Sequence, residues 1–243
     1  MKLNIADTNT FLNEFLSPLS RISEGGVLTF QDNKITSLAA TCDNTIIIYS
    51  EYLTPTPDTK ISLNIPDLKK FHKLLTLVDG PLELEIANNS IAYHSDSFRF
   101  KMHTFEEGIL SIPPLTMSKL SKIYINFDSA FTITNTMLTN LIKGSTLTMD
   151  VKKVYISSSG NKVHAELTDK NQDLTDVFAS LLSEDYQGPV LNSIPINFEI
   201  MRILNTTKIS QFVAKYASSI KVFNFEVKTN NVNINYIISA LKD

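Results

Sequence analysis

Histidine, cysteine and paired acidic residues are the side chains best suited to chemistry at neutral pH, and their spacing here gives no catalytic signature. The four histidines are dispersed, with none in a His-x₃-His or His-Glu-x-x-His pattern. The acidic pairs at 106–107 and 184–185 are typical of solvated loops. Seven glycines form neither a phosphate-cradling loop nor a nucleophile elbow. We therefore expect a protein that is not an enzyme and has no cofactor and no metal, although spacing alone leaves a metal-dependent nuclease open.

The clearest charge pattern lies on a predicted helix at residues 66–77. At about 100° per residue, its apolar side chains share one face and its lysines point away from that face. The lysines are Lys69, Lys70 and Lys73. They form either a surface that faces phosphates or an ordinary solvated helix face. Groups of this kind contact a sugar-phosphate backbone without reading the bases.

The elements that position these lysines occur in an order that the chain repeats. A helical stretch, a hairpin, further strands, a second helical stretch and closing strands occupy residues 8–105, and the order returns across 126–239. Helices are predicted at 9–17, 66–77, 134–143 and after 197. Pro18 is expected to bend or end the first helix, and Asn64 to cap the second. The repeat predicts an α+β fold of two similar domains, 1–105 and 122–243, joined by a connector at 106–121.

Composition limits the possible functions further. Hydrophobic residues at 43% and charged residues at 19% of 243 residues are typical of a folded globular protein. The net charge of −3 means that any DNA contact must come from a local patch. No apolar run approaches the ~20 residues that span a bilayer, the start resembles no signal peptide, and Cys42 is the single cysteine. We expect no membrane partner and a cytoplasmic location.

The order of several short motifs resembles a known family, the DNA polymerase sliding clamps of T-even-type tailed phages. The resemblance runs over essentially the whole chain. It depends on the order and spacing of these pieces: residues 1–3, 7–8, 74–78, 185–188, 196–197, 201–202 and 235–241.

The resemblance implies the DNA-clamp fold, with two helices packed on antiparallel sheets in each domain. Three identical subunits would form a pseudo-sixfold ring around duplex DNA, bound without sequence specificity. An ATP-driven clamp loader would load the ring, which would then tether the replicative DNA polymerase in the host cytoplasm, with late-transcription factors as further candidate partners.

Two sets of residues follow from the resemblance by position. The DNA-facing set is Lys69, Lys70, Lys73, Lys143, Arg202, Arg21 and Lys208. The set expected in a pocket for partner peptides is Ile46, Leu110, Ile112, Tyr236, Ile237 and Ile238. Ordinary burial in the core remains the other interpretation of this second set.

The predicted lining is weakly basic for such a ring. The first helix carries Asn13 and Glu14 where the family usually has a basic residue, and the first helix of the second half carries only Lys143. We therefore expect low intrinsic DNA affinity and dependence on topological linkage. Two alternatives stay open, namely a monomeric processivity factor held on DNA by charge and a non-enzymatic phage structural protein.

Overall fold

The structure is a computed structural model, which describes residues 2–57, 59–87, 89–110, 122, 126–148, 151–170, 176–205 and 211–241. The chain divides into two compact units. The first is Met1–Pro113 with Lys228–Ile234, and the second is Pro114–Val227 with Asn235–Asp243. The predicted boundaries at 105, 121 and 122 stay a prediction, and residues 111–121 of the predicted connector lie outside the described residues.

The first unit contains two four-stranded antiparallel arrangements and two helical segments. Strand order is β1-β6-β7-β8 in one sheet, and β5-β2-β3-β4 are four successive strands of another sheet. Its elements are β1 (Lys2–Ile5), α1 (Thr8–Thr10), a π-helical turn (Phe11–Leu16), α2 (Ser17–Ile22), β2 (Gly26–Gln31), β3 (Lys34–Ala40), β4 (Ile46–Leu53), β5 (Ile61–Ile65), α3 (Leu68–Leu75), β6 (Leu82–Ala87), β7 (Ser90–His94) and β8 (Arg99–His103).

The second unit repeats that order. Its strands are arranged as β12-β11-β10-β13 and as β16-β15-β14-β9. Its elements are β9 (Ser129–Thr134), α4 (Asn135–Gly144), β10 (Lys153–Ser159), β11 (Lys162–Leu167), β12 (Phe178–Ser183), β13 (Ile194–Asn197), α5 (Glu199–Asn205), β14 (Gln211–Ala217), β15 (Val222–Lys228) and β16 (Val232–Ser239). The last residue of β15 and the first three of β16 are assigned to the first unit. Each unit therefore runs strand, helix, four strands, helix and three strands, and from the first helix onward this is the order that the sequence repeat predicts.

A late segment of the chain folds with the first unit. The backbone N–H of Leu53 donates to the carbonyl oxygen of Asn231 at 2.8 Å. The hydroxyl of Thr229 donates to the Glu14 carboxylate at 2.9 Å. These bonds join residues about 180 and 215 positions apart in the chain. They explain why Lys228–Ile234 belongs to the first unit.

Local turn chemistry produces the hairpins. Asp32 and Asn33, between β2 and β3, have φ angles of 55° and 56°. Two successive positive φ values match the twist of a two-residue hairpin, and Asp and Asn tolerate them better than most residues. This hairpin is the one that follows the first helical stretch in the predicted order.

The first helical segment differs from its prediction. Pro18 neither ends nor interrupts it, since the helix continues to Ile22. Before Pro18 the segment is π-helical, and the Ser17 N–H donates to the Leu12 carbonyl five residues back. Proline cannot donate a backbone hydrogen bond, and the wider turn changes the bonding pattern just ahead of it. The buried side of the segment includes Phe11, Leu12, Phe15, Leu16 and Leu19.

Candidate nucleic-acid interface

Helix α3 presents the lysine face that the sequence predicts. Leu68, Phe71 and Leu75 are buried beneath it, while Lys69, Lys70 and Lys73 are exposed. The helix begins after Asp67, whose carboxylate accepts the Lys70 N–H at 2.8 Å. The predicted cap at Asn64 is wrong, because Asn64 lies in β5 and bridges to Phe105.

The end of α2 is held close to the start of α3. The Leu68 N–H donates to the Glu24 carbonyl oxygen at 2.7 Å. A Cβ on Gly26 would lie 2.9 Å from Leu68 Cδ1. Because the glycine has no side chain, the beginning of β2 can pass directly under the first turn of α3. The local sequence thus brings two helix ends together in the first unit.

At the other end of the first helical segment, Tyr52 fixes where the helix begins. Its hydroxyl donates to the Asp7 carbonyl oxygen at 3.0 Å, and the Asp7 carboxylate accepts the Thr10 N–H at 3.0 Å. The ring of Tyr52 packs edge-on against Phe11, with centroids 5.4 Å apart. Burial, with the nearby charges of Asp7 and Glu14, raises the pKa of Tyr52 to about 12. Tyr52 is therefore a neutral hydrogen-bond donor at physiological pH.

Between α2 and α3 lies a groove of about 880 Å³ that gathers four of the predicted basic residues. We call it the basic groove. Its lining is Ser20, Arg21, Ile22, Ser23, Glu24, Asp67, Lys69, Lys70, Lys73, Leu74 and Leu77. Four cationic and two anionic side chains leave an excess of two positive charges. Such a local patch can attract an anion although the whole chain is slightly acidic.

The cations of the basic groove are available for binding. Within the described ranges, Arg21, Lys69, Lys70 and Lys73 have no acidic side chain at salt-bridge distance. Lys69 and Lys73 are four residues apart on one helix, where like charges repel each other by a few tenths of a kcal/mol. A bound anion would relieve that repulsion.

His72 lies on the same helix but is half-buried, so it is not part of the exposed lysine face. Its Nε2 is enclosed and accepts or donates no hydrogen bond within the described part of the chain. Burial lowers the pKa of His72, and the positive charge of Arg21 lowers it further. A hydrogen bond with the Leu12 backbone raises the pKa and opposes this shift. These effects favour the neutral imidazole near the positive charge of Arg21.

The remaining predicted DNA-facing residues are elsewhere. Lys143 is exposed near the end of α4, and Arg202 is exposed on α5. Arg202 forms an ion pair with Glu199 at 3.1 Å and lies 4.9 Å from the ring centroid of Phe198. Neither residue lines the basic groove. Lys208 lies outside the described residues.

The residues predicted for a partner-peptide pocket are mostly buried. Ile46, Tyr236, Ile237 and Ile238 are each at most 4% exposed. Leu110 is half-buried, and its Cδ2 would lie 2.9 Å from a Cβ on Gly25. Ile112 lies outside the described residues. In this structure the four strand residues contribute to the core, and their role in a pocket stays a prediction.

Sequence reasoning missed the acidic and apolar parts of the groove. Asp67 could have been identified as the helix cap, because it directly precedes the first apolar residue of α3. Leu77 is the last residue of the predicted helix and is 60% exposed, so the sequence could have indicated it as an apolar residue outside the buried face. Glu24 carries no sequence signal, because its place in the groove depends on how α2 and α3 pack.

Two further observations concern metal sites and membrane-spanning helices. Among the described residues, no group of three or more histidine, cysteine, aspartate or glutamate side chains could hold a metal ion. The described helices are too short and too polar to cross a bilayer.

Comparison with known proteins finds matches among solved structures only. No protein-family model matches the sequence, and no curated protein matches it. The solved structures similar to this chain include PCNA of A. fulgidus, bound to the C-terminal region of FEN-1, with a TM-score of 0.77 and 9% identity over 100% of this chain and 98% of that one. PCNA of Entamoeba histolytica gives a TM-score of 0.73 and 12% identity over 99% and 98% of the two chains.

A third similar structure is the DNA polymerase sliding clamp of Pseudomonas aeruginosa, with a TM-score of 0.78 and 12% identity over 100% of this chain and 67% of that chain. Such low identities establish shape rather than activity. The chain therefore has the sliding-clamp fold, and the α+β class with two helices packed on antiparallel sheets in each half is confirmed.

Proposed function

We propose that this chain is a sliding clamp of the T-even phage type, a non-enzymatic processivity factor that encircles duplex DNA and tethers the replicative polymerase. The observation that carries the proposal is the basic groove, which lies on the helices of a chain with the clamp fold. Its four cations have no acidic partner within the described residues. The proposal explains why an acidic protein has a concentrated local excess of positive charge.

The basic side chains of the groove are suited to contact phosphate oxygens rather than the edges of bases. Lysine and arginine at a helix surface contact phosphate oxygens, and such contacts position a protein on DNA without carrying sequence information. A clamp must move along any sequence, so contacts of this type are sufficient. Few neutralised phosphates release few counterions, and we expect weak intrinsic affinity with retention depending on encirclement.

Assembly into a ring needs surfaces through which copies associate, and the edge strands of the sheets are candidates. In the described chain, β8 is the last strand of its sheet in the first unit, and β12 is the last strand of its sheet in the second. An edge strand has unpaired N–H and C=O groups that another strand can pair with. Pairing β8 of one copy with β12 of the next would join copies head to tail, and the resemblance favours closure into a ring of three subunits.

Apolar side chains accompany the β12 edge. Val177, which directly precedes β12, is 62% exposed, and Leu147, just after α4, is 66% exposed. Helix α4 packs on β12, where Gly144 allows close approach of the Phe178 ring. Exposed apolar groups that flank an edge strand and the helix packed on it are typical of a surface that associates with another protein.

The partners proposed beyond DNA and a second copy are the replicative polymerase, a clamp loader and late-transcription factors, in the cytoplasm of a host cell. They rest on the resemblance to phage clamps. The partner-peptide pocket, for which the resemblance names Ile46, Leu110, Ile112, Tyr236, Ile237 and Ile238, has the same basis. A polymerase-tail peptide that binds the chain, with binding reduced by Leu110→Ala, would support this part of the proposal.

A threading experiment tests encirclement directly. The chain, at a concentration where light scattering gives the mass of an oligomer, is incubated with linear duplex whose biotinylated ends are either free or blocked by streptavidin. A ring can pass over free ends only, so we expect cross-linkable protein on open duplex and little on blocked duplex. Streptavidin added after threading should retain the ring at high salt, where charge contacts are screened.

The alternatives give different results in the same experiment. A monomeric factor held by charge would bind open and blocked duplex equally and would be released by salt. A phage structural protein would bind neither, although it could still associate with itself. Either result would overturn the proposed encirclement.

A further inference from the structure

The charged residues of the two units are arranged differently, and the difference matters for how the clamp would contact DNA. The predicted DNA-facing set has members in both halves of the chain. In the structure, four of them converge on the basic groove of the first unit. The two described members in the second unit lie on different helices, and one of them, Arg202, is already paired with Glu199.

We infer that phosphate contact is concentrated on the first unit, and that Lys143 and Arg202 contribute little to it. The inference rests on the proposed function and deepens it, because it states which half of each subunit holds the DNA backbone. A ring of such subunits would alternate strongly and weakly binding segments around its hole.

Arg202 is the main reason for the asymmetry. Its guanidinium is 3.1 Å from the Glu199 carboxylate, which already supplies an anion. The same guanidinium lies over the ring of Phe198. A phosphate at Arg202 would have to compete with Glu199 and would be repelled by its charge. The exposed ion pair is worth little to stability, but it leaves no net positive charge at this place.

Lys143 has no basic neighbour on its own helix. It is the single basic residue of α4, and it lies in the last turn, where a cation interacts favourably with the carbonyl end of the helix. The basic groove instead places three lysines within five residues of α3, with Arg21 opposite. Phosphates follow one another along a strand, so a cluster can engage adjacent ones and an isolated cation cannot.

Two double variants with equal change of charge test the inference. Lys69→Gln/Lys73→Gln removes two charges from the basic groove, and Lys143→Gln/Arg202→Gln removes two from the second unit. The exposed pair Lys162→Gln/Lys228→Gln is the control for the loss of two charges anywhere. Each protein is titrated against a fluorescent duplex of about 30 base pairs at several salt concentrations, and thermal unfolding checks that each remains folded.

The readout is the slope of log affinity against log salt, whose magnitude decreases by roughly 0.9 for each phosphate that the protein no longer neutralises. We expect this magnitude to decrease by between about one and two per engaged subunit in the groove variant, and the second-unit variant to match the control. Equal decreases for the two double variants would overturn this inference and leave the proposed function intact. If the wild-type chain shows no affinity for duplex and no threading, the proposed function fails and the inference fails with it.

Discussion

At the scale of single residues, His72 shows how the fold fixes a protonation state beside the basic groove. Its enclosed Nε2 has no hydrogen-bond partner in the described structure, and Arg21 adds unfavourable positive charge to the protonated form. The unfolded chain has no such restriction, so it binds a proton more readily than the folded chain. The stability contributed by neutral His72 is therefore present above its unfolded pKa of about 6.5 and is lost as the pH falls below that value.

We predict a steeper loss of stability on acidification in wild type than in His72→Gln. The melting temperature is measured from pH 7.5 to pH 5.5, above the range in which carboxylates titrate. Because glutamine does not titrate, the variant should lose less between these limits, whatever its absolute stability. His94→Gln is the control, since the His94 side chain is 58% exposed. Parallel curves for wild type and His72→Gln would contradict the prediction.

The same scale shows what the sequence could and could not reveal about the site. Lys69, Lys70 and Lys73 were predictable because helical periodicity places them opposite Leu68, Phe71 and Leu75. Their convergence with Arg21 was not, because it requires the close approach of α2 and α3. The neutralisation of Arg202 was readable in principle, since Glu199 is three residues earlier on one helix.

At the scale of elements, local signals were sufficient for hairpins and insufficient for sheet order. The β2–β3 turn follows from Asp32 and Asn33, which accept positive φ angles. The pairing of β1 with β6, in which Lys2 is opposite Glu85, joins segments about 80 residues apart. No short-range pattern encodes such a contact, because it depends on which buried faces fit together.

Gly144 is the clearest case of an element position fixed by a single residue. A Cβ at this position would lie 2.0 Å from an edge carbon of the Phe178 ring. Its φ angle lies outside the positive range, so the need for glycine is one of space and not of backbone conformation. The end of α4 can therefore lie directly against β12.

We predict that Gly144→Ala destabilises the chain by about 1–3 kcal/mol, because the new methyl group forces the ring or the helix to move. Urea unfolding gives the free energy. The double variant Gly144→Ala/Phe178→Leu should cost less than the sum of the two single variants, since the smaller side chain makes room. Additive effects of the two changes would show that the methyl group does not meet Phe178.

At the scale of the whole molecule, the duplicated order of elements leaves edge strands in both units. The side chains around β8 in the first unit differ in character from those around β12 in the second. The β8 edge carries Arg99, Lys101 and His103 among its five residues. The β12 edge is accompanied by exposed Val177 and Leu147. Two unlike edges favour head-to-tail association over a symmetrical dimer, which needs one self-complementary patch.

We predict that Leu147→Asp/Val177→Asp weakens self-association and leaves the subunit folded. Both side chains are more than 60% exposed, so substitution should change the free energy of unfolding of the subunit by about 0.5 kcal/mol or less at each site. A carboxylate enclosed in an interface loses hydration, and each 1.4 kcal/mol of that cost weakens association about tenfold. Light scattering over a dilution series should therefore show the mass falling at a concentration at least about tenfold higher than for wild type.

Ile220→Asp provides the control for this experiment. Ile220 is 42% exposed, but it lies in the turn between β14 and β15 and not beside β12. Its substitution adds an acidic group to an exposed apolar position without touching the proposed interface, so its dilution curve should follow that of wild type. If the double variant and Ile220→Asp dissociate alike, general acidity weakens the assembly. If neither variant changes the mass, copies of the chain associate through a surface other than the β12 edge.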